Sequence, residues 1–224
     1  MSQSDFAELA SAAFQNQKRA SIVIADTLRS AILRGHFLPG QAMPQEEIAK
    51  QFKVSRAPVR DALRRLESEG LIVLHPNRGA EIAKLTGSDL QEIFLIRESL
   101  ESTALRLSVP KMTDADFAKA EEVFGRIEAD PDTTHMAELN WEFHESIYRA
   151  ANMPRLMSLA RTLNNTALPY HRIGYVEYNG KALSQRGHRE ILAACHARRE
   201  DTAVEALLDH LRVSAALVIP HLEP

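Results

Sequence analysis

The chain has one cysteine, Cys195, in 224 residues. That excludes an internal disulfide and any metal site built from thiolates alone. Glycine and proline are scarce, at 9 and 10 residues, which excludes collagen-like and low-complexity chains. No run approaches the ~18 consecutive apolar residues that a membrane span needs. The opening residues, MSQSDFAELASAAFQ, lack the charged stretch and following apolar stretch of a secretory signal. We therefore expect a cytoplasmic protein in a reducing environment, with no membrane partner. What is present is ordinary globular stock, 45% hydrophobic and 25% charged, enough for one large domain or two small ones.

The net charge of −3 hides an asymmetry. Residues 18–84 hold 12 basic against 7 acidic side chains, and residues 85–224 hold 15 against 21. Seven of the nine histidines lie in the second stretch. A basic front and an acidic, histidine-rich back imply two domains with different partners.

Residues 1–17 are polar and read as a flexible N-terminal arm. Ile22, Ala25, Leu28, Ile32 and Leu33 recur at helical spacing and stop at Gly35. A short helix follows over roughly 45–52. Ser55 then caps a helix running to about Glu69, with Val59, Ala62, Leu63 and Leu66 on one face. Two β-prone runs, 71–74 and 80–83, flank a hairpin tip over 75–79. This order is that of a winged helix-turn-helix, over 18–84. After a linker at 85–87, six amphipathic segments near 88–108, 113–128, 133–151, 153–175, 181–199 and 201–218 predict an all-helical bundle over 88–219. The fold class is mostly α: a winged helix-turn-helix followed by an all-α bundle.

The stretch Val54-Ser55-Arg56-Ala57-Pro58-Val59-Arg60-Asp61-Ala62-Leu63-Arg64 carries the most information. Arg56, Arg60 and Arg64 recur every four residues on the face opposite the apolar stripe. A recognition helix lays its first turns in the major groove, where arginine forks onto guanine O6 and N7. Ser55 and the helix N-terminus suit a phosphate, and Arg78 on the hairpin suits the minor groove or backbone. In the bundle, Arg97 and Glu101 share the apolar stripe of the first helix, as an internal ion pair, a ligand-facing arginine, or both. Asn140 and His144 share one face of the third helix at i, i+4 spacing. His188 and His210 each align with apolar residues of their own helices. Inward imidazoles are either hydrogen-bonded core residues or ligands for zinc, nickel or another first-row ion.

Residues 28–35, Leu38-Pro39-Gly40, 54–67, 69–72 and Asn77-Arg78-Gly79-Ala80 resemble the GntR family of bacterial transcription regulators. The resemblance covers about 65 residues in order. It implies that Arg34, Ser55, Arg56, Ala57, Pro58, Arg60, Arg64, Asn77, Arg78 and Gly79 form the surface for double-stranded operator DNA. The position of Ala57 is commonly threonine in that family; its methyl still suits a thymine methyl. Leu139-Asn140-Trp141-Glu142-Phe143-His144, residues 187–194 and Asp209-His210-Leu211 resemble the signatures of the FCD effector domain, which follows the winged helix in the FadR subfamily. That resemblance implies a divalent metal, zinc or nickel, on Asn140, His144, His188 and His210. Asn140 stands where the family usually has aspartate, a neutral amide oxygen and a weaker ligand. It also implies a small carboxylate effector, met by Arg97, Asn140, Asn164 and His171, with Asn165, Tyr170 and Arg172 nearby.

The expected function is a ligand-responsive repressor of a catabolic or transport operon, a homodimer on a pseudo-palindromic site, and not an enzyme. Two alternatives stay open. One is a metal-free regulator binding an acyl-CoA-like ligand. The other is a metal-dependent hydrolase with a DNA-binding domain, for which no general base stands beside the histidines and Asn140 cannot take a proton.

Overall fold

The computed structural model describes residues 3–76, 79–130, 136–177 and 180–222, without the side chains of 3–14, 137, 169 and 171–177. The chain divides into two compact units, Met1–Lys84 and Leu85–Pro224.

In the first unit, helix α1 spans Gln3–Leu33. Ile24, Ala25, Leu28 and Ile32 are buried along one side of it. It ends at Gly35, whose φ of 71° is open to glycine at no steric cost, and His36 N–H returns to Ala31 carbonyl at 2.9 Å. Strand β1 (Ala42–Met43), helix α2 (Gln45–Phe52) and helix α3 (Arg56–Ser68) follow. Strands β2 (Ile72–His75) and β3 (Gly79–Ile82) complete an antiparallel sheet of order β1-β3-β2. Ile72 pairs with Ile82 and His75 with Gly79. Val59, Leu63 and Leu66 of α3 are fully buried, and each contributes about 1.5–3 kcal/mol. Arg29 of α1 forks onto both oxygens of Glu69 at 2.6 Å, tying α1 to the end of α3.

Two features of this unit go beyond the expected elements. Helix α1 already starts at Gln3, within the residues expected as an N-terminal arm. Ala7, Ala10, Ala12 and Ala13 favour helix, and no glycine or proline interrupts them. Their polar composition masks that propensity. Gln17 also donates to Asp61 of α3 at 3.2 Å, so no break falls after it. Strand β1 is an addition to the expected elements, since two residues are too short to leave a sequence pattern.

The second unit is helical: α4 (Gly87–Ser108), α5 (Asp114–Ala129), α6 (Met136–Tyr148), α7 (Pro154–Glu177), α8 (Gly180–His196) and α9 (Glu200–Val218). Thr86 and Asp89 form a capping box that starts α4 at Gly87, inside the expected linker. Thr113 and Asp116 do the same for α5. One continuous core joins Leu90, Phe94 and Leu105 of α4 with Phe143 and Ile147 of α6, Ile191 of α8 and Leu207 and Leu211 of α9. No helix among the described residues is long and apolar enough to cross a membrane.

Candidate functional site

Helix α3 sorts its side chains by period. Its apolar stripe is buried, while Arg56, Arg60, Arg64 and Arg65 are exposed. Ser55 sits at the N-cap in an extended conformation and makes no side-chain cap hydrogen bond among the described residues. The only described partner of Arg56 is Glu46 of α2, at 2.8 Å, with both side chains mostly exposed. Such a surface pair is weak and gives way to a phosphate or guanine. Ala57 is half-buried, as is Arg34 just beyond α1. Gly79 opens β3 with a φ of 86°. Asn77 and Arg78 lie outside the described residues. Pro58 is buried in the first turn of α3. There it presets the helix backbone where a missing N–H costs little.

In the second unit, three helices converge on their histidines. His144 of α6, His188 of α8 and His210 of α9 are buried, and one ligand nitrogen from each lies within 4.8 Å of the others. His144 Nε2 and His210 Nε2 are 3.2 Å apart. Two nitrogens held at ~2.0–2.1 Å by one tetrahedral ion stand roughly 3.3 Å apart, so the spacing suits a shared ligand. His188 Nε2 is buried with no hydrogen-bond partner among the described residues. Its other nitrogen, Nδ1, faces Gln185 Oε1 at 2.9 Å. Burial holds His188 well below the usual imidazole range, and His210 adds to the effect. Burial, with Arg97 nearby, pushes His210 down to about 3. Both rings are therefore neutral, the form that binds metal. Asn140, one turn before His144 on α6, is buried. The three imidazole nitrogens are donors of the kind that suit zinc or nickel.

The close approach of α8 and α9 has a local cause. A Cβ on Gly187 would lie 2.6 Å from His210 Nδ1 and 3.1 Å from its Cβ. Only glycine lets the His210 ring stand there. We expect Gly187→Ala to displace that ring, at about 1–3 kcal/mol of overpacking, partly offset by about 1 kcal/mol of helix propensity. Denaturant melts would read the stability, and the histidine ring signals in NMR would read the displacement. Unchanged ring signals would contradict this account of the glycine.

The remaining expected residues divide. Arg97 is 1% exposed and its Nε donates to Glu101 Oε1 at 2.7 Å. Its Nη1 has no hydrogen-bond partner among the described residues, so the ion pair leaves a donor in hand. Asn164 of α7 is fully buried, with neither amide atom partnered among the described residues. Tyr170 is buried and its hydroxyl accepts from Leu85 N–H at 2.5 Å, a structural tie. The side chains of His171 and Arg172 lie outside the described residues. Cys195 is buried, and burial pushes its thiol up to about 12, which keeps it unreactive. A surface cleft of about 510 Å³ lies by α5, α6 and the start of α7, lined by Asp116, Lys119, Glu142, Arg149 and others, and includes none of the histidines.

Sequence reasoning missed Tyr148 and Gln185 as polar partners of the histidines. The Tyr148 hydroxyl meets His144 Nδ1 at 3.0 Å and donates to Glu101 Oε2 at 2.7 Å. Each is one helical turn from a candidate ligand, at i+4 and i−3, and that spacing was the available signal.

Comparison with known proteins agrees with both units. Residues 21–82 match the bacterial regulatory proteins of the gntR family, and residues 92–213 match the FCD domain. The Nta operon transcriptional regulator of Aminobacter aminovorans is 29% identical over 79% of this chain and 84% of its own length. The probable D-xylose utilization operon transcriptional repressor of Paenarthrobacter nicotinovorans is 30% identical over 84% of each. The solved structure of Escherichia coli McbR/YncC shares the fold, with a TM-score of 0.77 and 24% identity over 88% of this chain and 95% of that one. An exposed arginine ridge on a helix-turn-helix, joined in one chain to a helical bundle with a polar heart, thus has a known setting: the chain belongs to the GntR family, as a DNA-binding transcriptional regulator with a C-terminal FCD domain.

Proposed function

We propose that the protein is a ligand-responsive repressor that acts in the cytoplasm as a homodimer on a pseudo-palindromic operator. Its second unit would hold a divalent metal, zinc or nickel, on Asn140, His144, His188 and His210. The observation that carries the metal reading is the unpartnered, buried Nε2 of His188 beside two further imidazoles. A buried polar atom without a partner costs about 1–3 kcal/mol, and a metal bond removes that cost. When bound, the ion supplies a Lewis-acidic anchor for a carboxylate oxygen. Arg97 Nη1 and the amide of Asn164 are the buried groups with capacity to orient such an anion, and His171 is the further candidate. The repressor reading is supported by the repressor name of one relative, whose operon concerns D-xylose utilization.

Regulation requires that effector affinity differ between DNA-competent and DNA-incompetent states. About 1–3 kcal/mol of coupling gives a 5–150-fold change in operator affinity. The chain's own chemistry disfavours turnover, since Asn140 takes no proton. The testing experiment is a thermal-shift screen of the full chain against small carboxylates, with Zn2+, with Ni2+ and with chelator. We expect a carboxylate to raise the melting temperature only when metal is present. Shifts of equal size with chelator would favour the metal-free regulator, and release of products from esters would favour the hydrolase.

A further inference from the structure

A four-residue path crosses the core of the second unit: Arg97, Glu101, Tyr148 and His144. All four are at most 1% exposed. Arg97 Nε donates to Glu101 Oε1 at 2.7 Å, which fixes that carboxylate as an acceptor. The Tyr148 hydroxyl spends its single proton on Glu101 Oε2 at 2.7 Å. Its oxygen can then only accept at His144 Nδ1, 3.0 Å away, so that nitrogen carries the ring proton. The lone pair of His144 is thereby placed on Nε2, the nitrogen that faces His210. Gln185 acts in the same way on His188: its Oε1 accepts from Nδ1–H at 2.9 Å and leaves a lone pair on the unpartnered Nε2.

We propose that Tyr148, with Glu101 behind it, is a positioning residue that locks His144 into the Nδ1–H tautomer and so aims Nε2 at a cation. Tyr148 and Glu101 themselves touch no effector and form no metal bond. It also answers a shortage of charge. Asn140 brings no negative charge, whereas Glu101 reaches the cluster through Tyr148. A hydrogen-bonded anion behind a ligating imidazole raises its basicity, and loss of such a partner typically weakens metal binding 10–100-fold.

The proposal rests on the metal reading above, and its test separates the two. Full chain labelled with 15N at histidine would be freed of metal by chelator, and the ring nitrogens would be read by long-range 1H–15N correlation. Zn2+ alone would then be titrated into the parent and into Tyr148→Phe. We expect His144 of the parent to show the Nδ1–H pattern without metal. In Tyr148→Phe we expect that pattern to be lost and Zn2+ affinity to fall 10–100-fold. A parent chain with His144 protonated on Nε2 overturns the proposal, and so does a folded Tyr148→Phe chain with unchanged tautomer and affinity. The parent spectrum decides the tautomer by itself, however well Tyr148→Phe folds. A parent that shows the Nδ1–H pattern yet takes up no Zn2+ supports the relay and overturns the metal reading.

Discussion

Replacing Arg56 and Arg60 together by alanine should weaken specific operator binding at least about 25-fold and leave the fold untouched. Both side chains project from the first two turns of α3, opposite its buried stripe. Each bidentate pairing with a base is worth about 1–3 kcal/mol, or roughly 5–150-fold. Two such losses amount to roughly 25-fold at the least and exceed 10⁴-fold at the upper end. The stability effect should be small, because among the described residues Arg56 is tied only to the exposed Glu46 and such pairs contribute about 0–1 kcal/mol. The measurement is fluorescence anisotropy on a duplex selected in vitro by the parent chain, with a thermal melt beside it. Parent-like affinity would mean that α3 does not read DNA. Repeating the titration over a salt series separates base readout from phosphate binding, since removing one cation from a phosphate lowers the salt slope by about one.

The second large effect concerns the histidine cluster. His188→Leu keeps an apolar body of similar size and removes the unpartnered Nε2. For the parent, Zn2+ at 100 times its Kd should add about 2.7 kcal/mol. For a chain of this size that is a rise of roughly 5–11 °C in Tm. The variant should show no rise and should carry no zinc by elemental analysis. A variant that still responds to Zn2+ like the parent would place the metal elsewhere.

How much of this is legible in the sequence differs from element to element. The α3 stripe is readable because Val59, Ala62, Leu63 and Leu66 bury one face while the arginines keep the other wet. The burial of Pro58 is not legible, because sequence adjacency to Ser55 and Arg56 says nothing about which side a residue faces. The start of α1 is written in Phe6, Leu9, Ala10, Ala13 and Phe14, which recur at helical spacing, but the serines and glutamines among them make the composition point the other way. For the bundle, spacing places His144, His188 and His210 each on an inward face. That they meet depends on how α6, α8 and α9 cross, and on Gly187 admitting the His210 ring. The link from Tyr148 to Glu101 joins residues 47 positions apart, so no local pattern announces it.

The central proposal is that metal and effector held at the buried imidazole cluster would change the DNA affinity of the arginine-studded helix in the same chain. The most direct test is operator binding by the parent and by His188→Leu, each with Zn2+ and with chelator, against the carboxylate that scores in the thermal screen. We predict a 5–150-fold change in operator affinity for the parent when metal and carboxylate are both present, and none for His188→Leu. Equal affinity of the parent under all of these conditions would contradict the claim.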